Sequence, residues 1–237
     1  MSRDYVWVDA ITGDVIDMET RIIFANATGT AQTRYSGTRS LTTDSYNGSY
    51  RLRATKNSTN ISTFNMNHTG NYTSTDFTDN NANLVSLGYS NNDNAFWDGN
   101  KMTYGRGTSL PPLTTLDICA HEIGHGICQS TANLTYSGES GAINESLSDI
   151  WGACVENWAT TNKQTWLCGE DLGTAFRSMS NPKLFGQPDT YGGTNWWNPT
   201  NLTWDNGGVH RNSGVMNYWF FLLSQGGNGS NVEMLIL

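Results

Sequence analysis

The stretch LDICAHEIGHGICQS, residues 116–130, followed by SGAINESLSDIWGACVENWA, residues 140–159, restricts the fold more than any other part of the chain. In the first, Leu116, Cys119, Ile123 and Ile127 follow Leu113 at helical spacing; in the second, Ile143, Leu147, Ile150, Cys154 and Trp158 do the same. His121 and His125 stand four positions apart, so both imidazoles project from one face of the first helix. Two imidazoles at that spacing can hold one zinc ion, and Glu122, offset by one position, can reach a water beside it. Glu145 lies twenty residues past His125, after a Gly138–Gly141 turn long enough to reverse the chain, and Asp149 is one helical turn further on. A third ligand and a carboxylate that orients a ligand histidine complete what an open zinc site requires, with the fourth position left to water.

The first 110 residues read differently. YVWVDAITGDVID, within residues 1–17, reads as strand, turn, strand around Asp9–Gly13, with Tyr5 and Trp7 alternating and Val15 and Ile16 beyond the turn. Residues 25–80 are rich in Thr, Ser and Asn, and Asn47-Gly48 between SLTTDSY and SYRLRA is a strong hairpin signal. A second hairpin is expected around His68-Thr69-Gly70, and no helix is expected before residue 110. Residues 180–208, rich in Gly, Pro, Asn and Trp, read as loop, and a third helix is expected from Gly214 to Leu223. The expected architecture is α+β with two lobes, β-rich at the N-terminus and helical at the C-terminus, with the zinc site between them.

At 237 residues the chain suits one large domain or two small lobes. Its net charge of −8 and the lack of a basic patch exclude nucleic acid as a partner. No apolar run is long enough to span a membrane, and no apolar segment of a signal peptide follows Met1-Ser-Arg-Asp. Only 14% of residues are charged, while Ser, Thr, Asn and Gly are abundant, a composition consistent with a secreted, loop-rich protein. Cys119 and Cys128 are separated by about 13 Å along one helix and cannot pair with each other. Buried free thiols, or a disulfide from that helix to Cys154 or Cys168, are both open readings.

Four separated motifs carry a resemblance. HEIGH with GAINESLSDIWGACVE, RSMSNP at 177–182, DNGGVHRNSG at 205–214 and NNDNAFWDG at 91–99 resemble the thermolysin family of zinc metallopeptidases, in the family's order. The resemblance implies that His121, His125 and Glu145 bind zinc, that Glu122 is the general base and that Asp149 orients His121. It implies that His210, oriented by Asp205, and Tyr136 stabilise the oxyanion. Asn94, the Ala95 carbonyl and Arg177 match groups that hold the substrate backbone, and Ile118 and Phe176 match the pocket for a bulky apolar side chain after the cut. Asp117, Glu156 and Glu170 match calcium ligands; one calcium is expected, since TTNKQTWLCG lacks a further acidic residue to bridge a second. The implied activity is that of a zinc-dependent metalloendopeptidase, hydrolysing peptide bonds by a zinc-activated water with a Glu general base. Its implied partners are peptide or protein substrates and its own prodomain as inhibitor, and it is implied to be a secreted monomer.

The chain departs from the family in three places. Residues 1–17 resemble the tail of an inhibitory prodomain, with the mature start expected between Asp17 and Thr33. Residues 18–110 form a shortened β-rich lobe, since only NNANLVSLG stands between Asp79 and Tyr89. Residues 111–237 form a helical lobe that stops short of the family's later helices, so a truncated gene or incomplete reading frame is expected. The helix VMNYWFFLLSQ is apolar on nearly every side, which predicts an uncovered apolar surface, a weakly stable chain and a poorly supported His210. The rival reading is a truncated, non-catalytic remnant that binds metal without cleaving.

Overall fold

The structure, a computed structural model, describes residues 4–8, 11–20, 26–46, 49–56, 59–64, 78–79, 93–105, 107–159 and 163–226. The chain divides into two compact units, residues 1–66 with 71–86, and residues 87–237 with 67–70. Strands fill the N-terminal part and helices the C-terminal part, an α+β fold.

In the first unit, β1 (Asp4–Val8) and β2 (Val15–Thr20) pair antiparallel, and Gly13, the last residue of the expected Asp9–Gly13 turn, takes a φ of 77°. β2 continues to Thr20, so the boundary drawn after residue 17 falls inside a strand. β3 (Asn26–Thr33) pairs along its whole length with β4 (Gly37–Tyr46). The Thr33 hydroxyl closes their turn, donating to the Gly37 carbonyl at 2.8 Å and accepting from the Ser36 N–H at 3.0 Å. β5 (Ser49–Arg51) pairs with β4 from Tyr46↔Ser49 onward, and β8 (Thr78–Asp79) completes that sheet. β6 (Arg53–Lys56) and β7 (Thr59–Ser62) form a further hairpin. Arg51 donates to both oxygens of Asp44, at 3.2 and 2.6 Å, and both side chains are buried. A buried fork of this kind fixes the register of β4 against β5, because a slip would leave both charges unpaired. Residues 47–48 and 68–70, the two hairpin turns expected from sequence, lie outside the described residues, although β4 and β5 flank the first as expected.

The second unit holds β9 (Ala95–Trp97), β10 (Met102–Tyr104), α1 (Leu116–Ser130), α2 (Gly138–Ala159), β11 (Leu167–Cys168), β12 (Arg177–Ser178) and α3 (Asp205–Gln225). The β9–β10 ribbon, assigned above to the N-terminal lobe, folds with the helices instead. The Trp97 indole donates to Gln129 of α1 at 2.6 Å, and Gln129 donates to the Gly99 carbonyl at 3.2 Å. The apolar periodicity of α1 could not announce this contact, because its anchor is a polar residue.

Two glycines let α1 and α2 approach closely. A Cβ on Gly124 would lie 2.8 Å from the Ser148 Cα, and one on Gly152 would lie 2.9 Å from the Asp117 carbonyl oxygen. The close approach carries His121 and His125 within reach of Glu145. All four cysteines are free thiols.

α3 begins earlier than the Gly214 expected from its apolar run. Asp205, Asn206, Gly207 and Gly208 take positive φ values, and regular helix follows from Val209. His210 therefore stands in the first regular turn, not on a poorly supported loop, and Gln187 donates to its carbonyl at 2.7 Å. The polar residues Asn212, Ser213 and Asn217 face inward, whereas Trp219 and Leu223 are 54% and 57% exposed. That is the reverse of an ordinary amphipathic helix, and it hid the start of α3 from a search for apolar periodicity.

Candidate metal and catalytic site

Every residue expected at the zinc site lies in the second unit. The Nε2 atoms of His121 and His125 face each other at 3.0 Å. Glu145, fully buried on α2, brings its two carboxylate oxygens to 3.5 Å from His121 Nε2 and 3.4 Å from His125 Nε2. Among the described residues these three form a cluster able to hold a metal ion. The far nitrogens are committed elsewhere: His121 Nδ1 to Asp149 at 2.8 Å, and His125 Nδ1 to Asn144 at 2.8 Å and Ser148 at 3.1 Å. Each ring therefore turns its Nε2 toward the common point, and Glu145 Oε2 is buried without a hydrogen-bond partner. Two imidazoles and a carboxylate are the donor types of a three-ligand zinc site, so the residues present fit zinc.

Asp149, 2% exposed, is the hub behind this cluster. It accepts from His121, from Arg177 Nε at 2.8 Å and Nη2 at 2.5 Å, and from Asn217 Nδ2 at 2.8 Å. Asn217 in turn accepts from the Ser146 hydroxyl at 2.6 Å. Burial would raise the Asp149 carboxyl, but the Arg177 charge and the His121 bond hold it well below the usual carboxylate range. Burial opposes a charged His121 ring, yet the hydrogen bond with Asp149 and the adjacent Glu145 carboxylate outweigh it and push this group up to about 10. Sequence reasoning found Asp149 but missed Asn217, which looks like one more polar residue in an apolar helix.

Glu122 is buried at 5% exposure, with one oxygen unpartnered, and burial raises its carboxyl above the ordinary range. His210 and Tyr136 converge on the side of Glu145: His210 Nε2 lies 3.3 Å from Glu145 Oε1 and 3.2 Å from the Tyr136 hydroxyl, which itself donates to Glu145. Asp205 receives His210 Nδ1 at 2.5 Å and the His210 backbone N–H at 2.9 Å. Burial lowers His210, but the Asp205 bond and the Glu145 charge override it, and the net shift is upward.

Two cavities flank this centre. One of about 330 Å³ is lined by Ile118, Leu113, Leu167, Cys168, Phe176 and Arg177, together with Asn94 and Ala95. The other includes Trp97, Gln129, Tyr136 and Asn144. Ile118 and Phe176 thus share one cavity, as expected, and Leu113, Leu167 and Cys168 join them unforeseen. Arg177 is bound to Asp149 and stacks 4.8 Å from the Phe176 ring, so its expected hold on substrate would be exerted from a fixed position.

The second acidic cluster is Glu156, Glu170 and Asp171, whose ligand oxygens lie within 4.8 Å of one another. Asp171 was not foreseen. Asp117, expected to join Glu156 and Glu170, accepts from the Thr115 hydroxyl and from the Gly169 N–H at 2.6 Å.

An α+β protein whose successive helices present HExxH and a distant glutamate, backed by a buried carboxylate, has the build of a zinc hydrolase. Residues 78–129 match the thermolysin metallopeptidase catalytic domain, and residues 132–235 match the thermolysin metallopeptidase alpha-helical domain. The chain belongs to the thermolysin metallopeptidase family, a family of zinc metalloendopeptidases. A bacillolysin of Bacillus caldolyticus and a thermolysin of Alicyclobacillus acidocaldarius subsp. acidocaldarius are each 47% identical over 143 residues, covering 56% of this chain and 25% of the relative. The solved structure of a precursor of protealysin, a metalloproteinase from Serratia proteamaculans, is 34% identical and covers 56% of this chain and 46% of its own, with a TM-score of 0.46. The chain spans about a quarter of the length of these curated relatives.

Proposed function

We propose that this chain binds zinc through His121, His125 and Glu145 and hydrolyses peptide bonds in protein or peptide substrates. The observation that carries the reading is the convergence of two Nε2 atoms and a buried carboxylate, with an unpartnered Glu122 carboxylate oxygen beside them. Zinc bound there supplies a Lewis acid that polarises a carbonyl and makes a nearby water acidic.

The chain's own groups do the rest. Glu122 accepts the water proton at its carboxylate and returns it to the leaving amine, and its burial strengthens it as a base toward neutral pH. His210 and Tyr136 donate hydrogen bonds to the developing oxyanion, and Asp205 holds the His210 ring in the donating orientation. Asn94 and Ala95 offer edge-strand groups to the substrate backbone, with Arg177 fixed nearby by Asp149. The 330 Å³ cavity takes an apolar side chain against Ile118 and Phe176.

Glu156, Glu170 and Asp171 hold one calcium ion in this reading. Both oxygens of Glu156 and of Glu170 are buried without a hydrogen-bond partner, which fits a cation bound by hard oxygen ligands. Residues 1–17 are read as the tail of an inhibitory prodomain, and the chain is read as secreted, as its relatives in the family are. No described helix is long and apolar enough to cross a membrane.

Glu122→Gln tests the reading. Bound zinc should stay at one equivalent while peptide hydrolysis falls by about a hundredfold or more, the usual worth of a general base. Loss of zinc would move Glu122 into the ligand set, and retained activity would remove its role as base. A wild-type chain that binds zinc and cleaves nothing would establish the non-catalytic alternative.

A further inference from the structure

Away from the zinc cluster, Glu156, Glu170 and Asp171 bring ligand oxygens within 4.8 Å of one another. Glu156 is fully buried, and neither its two oxygens nor the two of Glu170 have a hydrogen-bond partner among the described residues. Such a carboxylate points to a positive ligand. A positive side chain is already present: Lys163 pairs with Asp171.

The charges decide the rest. Asp117 also stands near, but it lies in the first turn of α1, where the helix N-terminus, the Thr115 hydroxyl and the Gly169 N–H offset it. Three carboxylates then face one ammonium, which leaves two negative charges. One divalent cation neutralises them. Two such ions beside the ammonium would leave the pocket with a net positive charge of two, in surroundings of low polarity where like charges repel strongly.

We infer that Lys163 is a built-in cation of this pocket, which therefore binds a single divalent ion, and that Lys163 weakens the pocket's hold on that ion. The inference rests on the calcium reading above. A unit charge about 6 Å from a divalent ion changes binding by about tenfold even at the dielectric of water, and by more in a buried site.

Calcium-free protein reloaded with one equivalent of zinc is titrated with calcium by calorimetry. The wild type should take up one ion. Lys163→Met should bind its first calcium at least tenfold more tightly, and Lys163→Arg should behave as the wild type. Lys163→Gln, which keeps a hydrogen bond toward Asp171, serves the same comparison if the Met variant does not fold. Two ions in the wild type, or unchanged affinity in folded Lys163→Met and Lys163→Gln, would overturn the role of Lys163. No calcium uptake by the wild type, with Glu156→Gln no different, would instead overturn the calcium reading on which it stands.

Discussion

Asp149→Asn removes one charge and almost no volume, so its effect isolates what the buried carboxylate does. Four N–H groups point at Asp149, two of them from the guanidinium of Arg177, whose side chain is 14% exposed. An amide at this position keeps one acceptor and turns a donor toward groups that are themselves donors. Breaking a buried ion pair by removing one partner costs about 3–5 kcal/mol, and the conservative amide places the expected loss of unfolding free energy near about 3 kcal/mol. The ligand side follows from the same bond. His121 Nδ1 loses its anionic acceptor, so its Nε2 becomes a poorer donor to a metal, and loss of such a partner weakens metal binding by about 10–100-fold. Competition against a chromogenic chelator measures the zinc affinity, and urea unfolding of the zinc-free protein measures the stability. If zinc affinity stays within about twofold, Asp149 does not act through His121. If affinity falls and stability does not, the Arg177 pair is worth far less than its burial implies.

Three further outcomes follow from separate contacts. Gly124→Ala should destabilise the fold by about 1–3 kcal/mol and weaken zinc binding, because its methyl would meet the Ser148 backbone at 2.8 Å; a melting temperature unchanged from wild type would show that α1 and α2 can separate without cost. Asn217→Leu should cost about 1–3 kcal/mol, read by urea unfolding, because it strands the Ser146 hydroxyl and removes a donor from Asp149. Asp93 accepts from the Thr108 hydroxyl and from the N–H groups of Thr108, Ser109 and Leu110, and these bonds hold its carboxyl far below the ordinary value. A depressed carboxyl stabilises above its unfolded value near about 4 and loses that contribution as pH falls through the lower folded value. Asp93→Ala should therefore lower the melting temperature at pH 7 and lower it less in strong acid; an equal loss at both would mean that the charge plays no part.

The parts of this fold that were legible in the sequence are those in which a chemical requirement and a backbone period coincide. His121, Glu122 and His125 lie in an apolar helical pattern, and Glu145 and Asp149 lie in another, so both the helices and the residues that cluster between them could be read. β4 and β5 were legible because a hairpin signal separates two strand-forming runs. What stayed hidden was held by polar contacts between distant residues. Gln129 ties β9 to α1 across thirty-two positions, and nothing local marks it. Asp171 joins Glu156 and Glu170 although it sits among ordinary turn residues. Lys163 looked like part of a segment notable only for lacking acids.

α3 shows why the second group matters for the site. Its inward face is made of Asn212, Ser213 and Asn217, and each has a partner on another element: the Trp197 backbone, Gln187 and Asp149. An apolar face in the same place would bury more hydrocarbon but would tolerate small rotations of the helix. Directed hydrogen bonds do not, because a buried donor or acceptor displaced from its partner costs about 1–3 kcal/mol. The rotation of α3 sets where His210 points, since His210 lies two turns before Asn217 on the same helix. Asn217 binds Asp149, Asp149 binds His121, and the proposed oxyanion histidine is thereby registered against the candidate metal cluster through three side chains. A polar core stripe in α3 is thus the expected result where the position of one imidazole, more than the burial of the helix, has to be fixed.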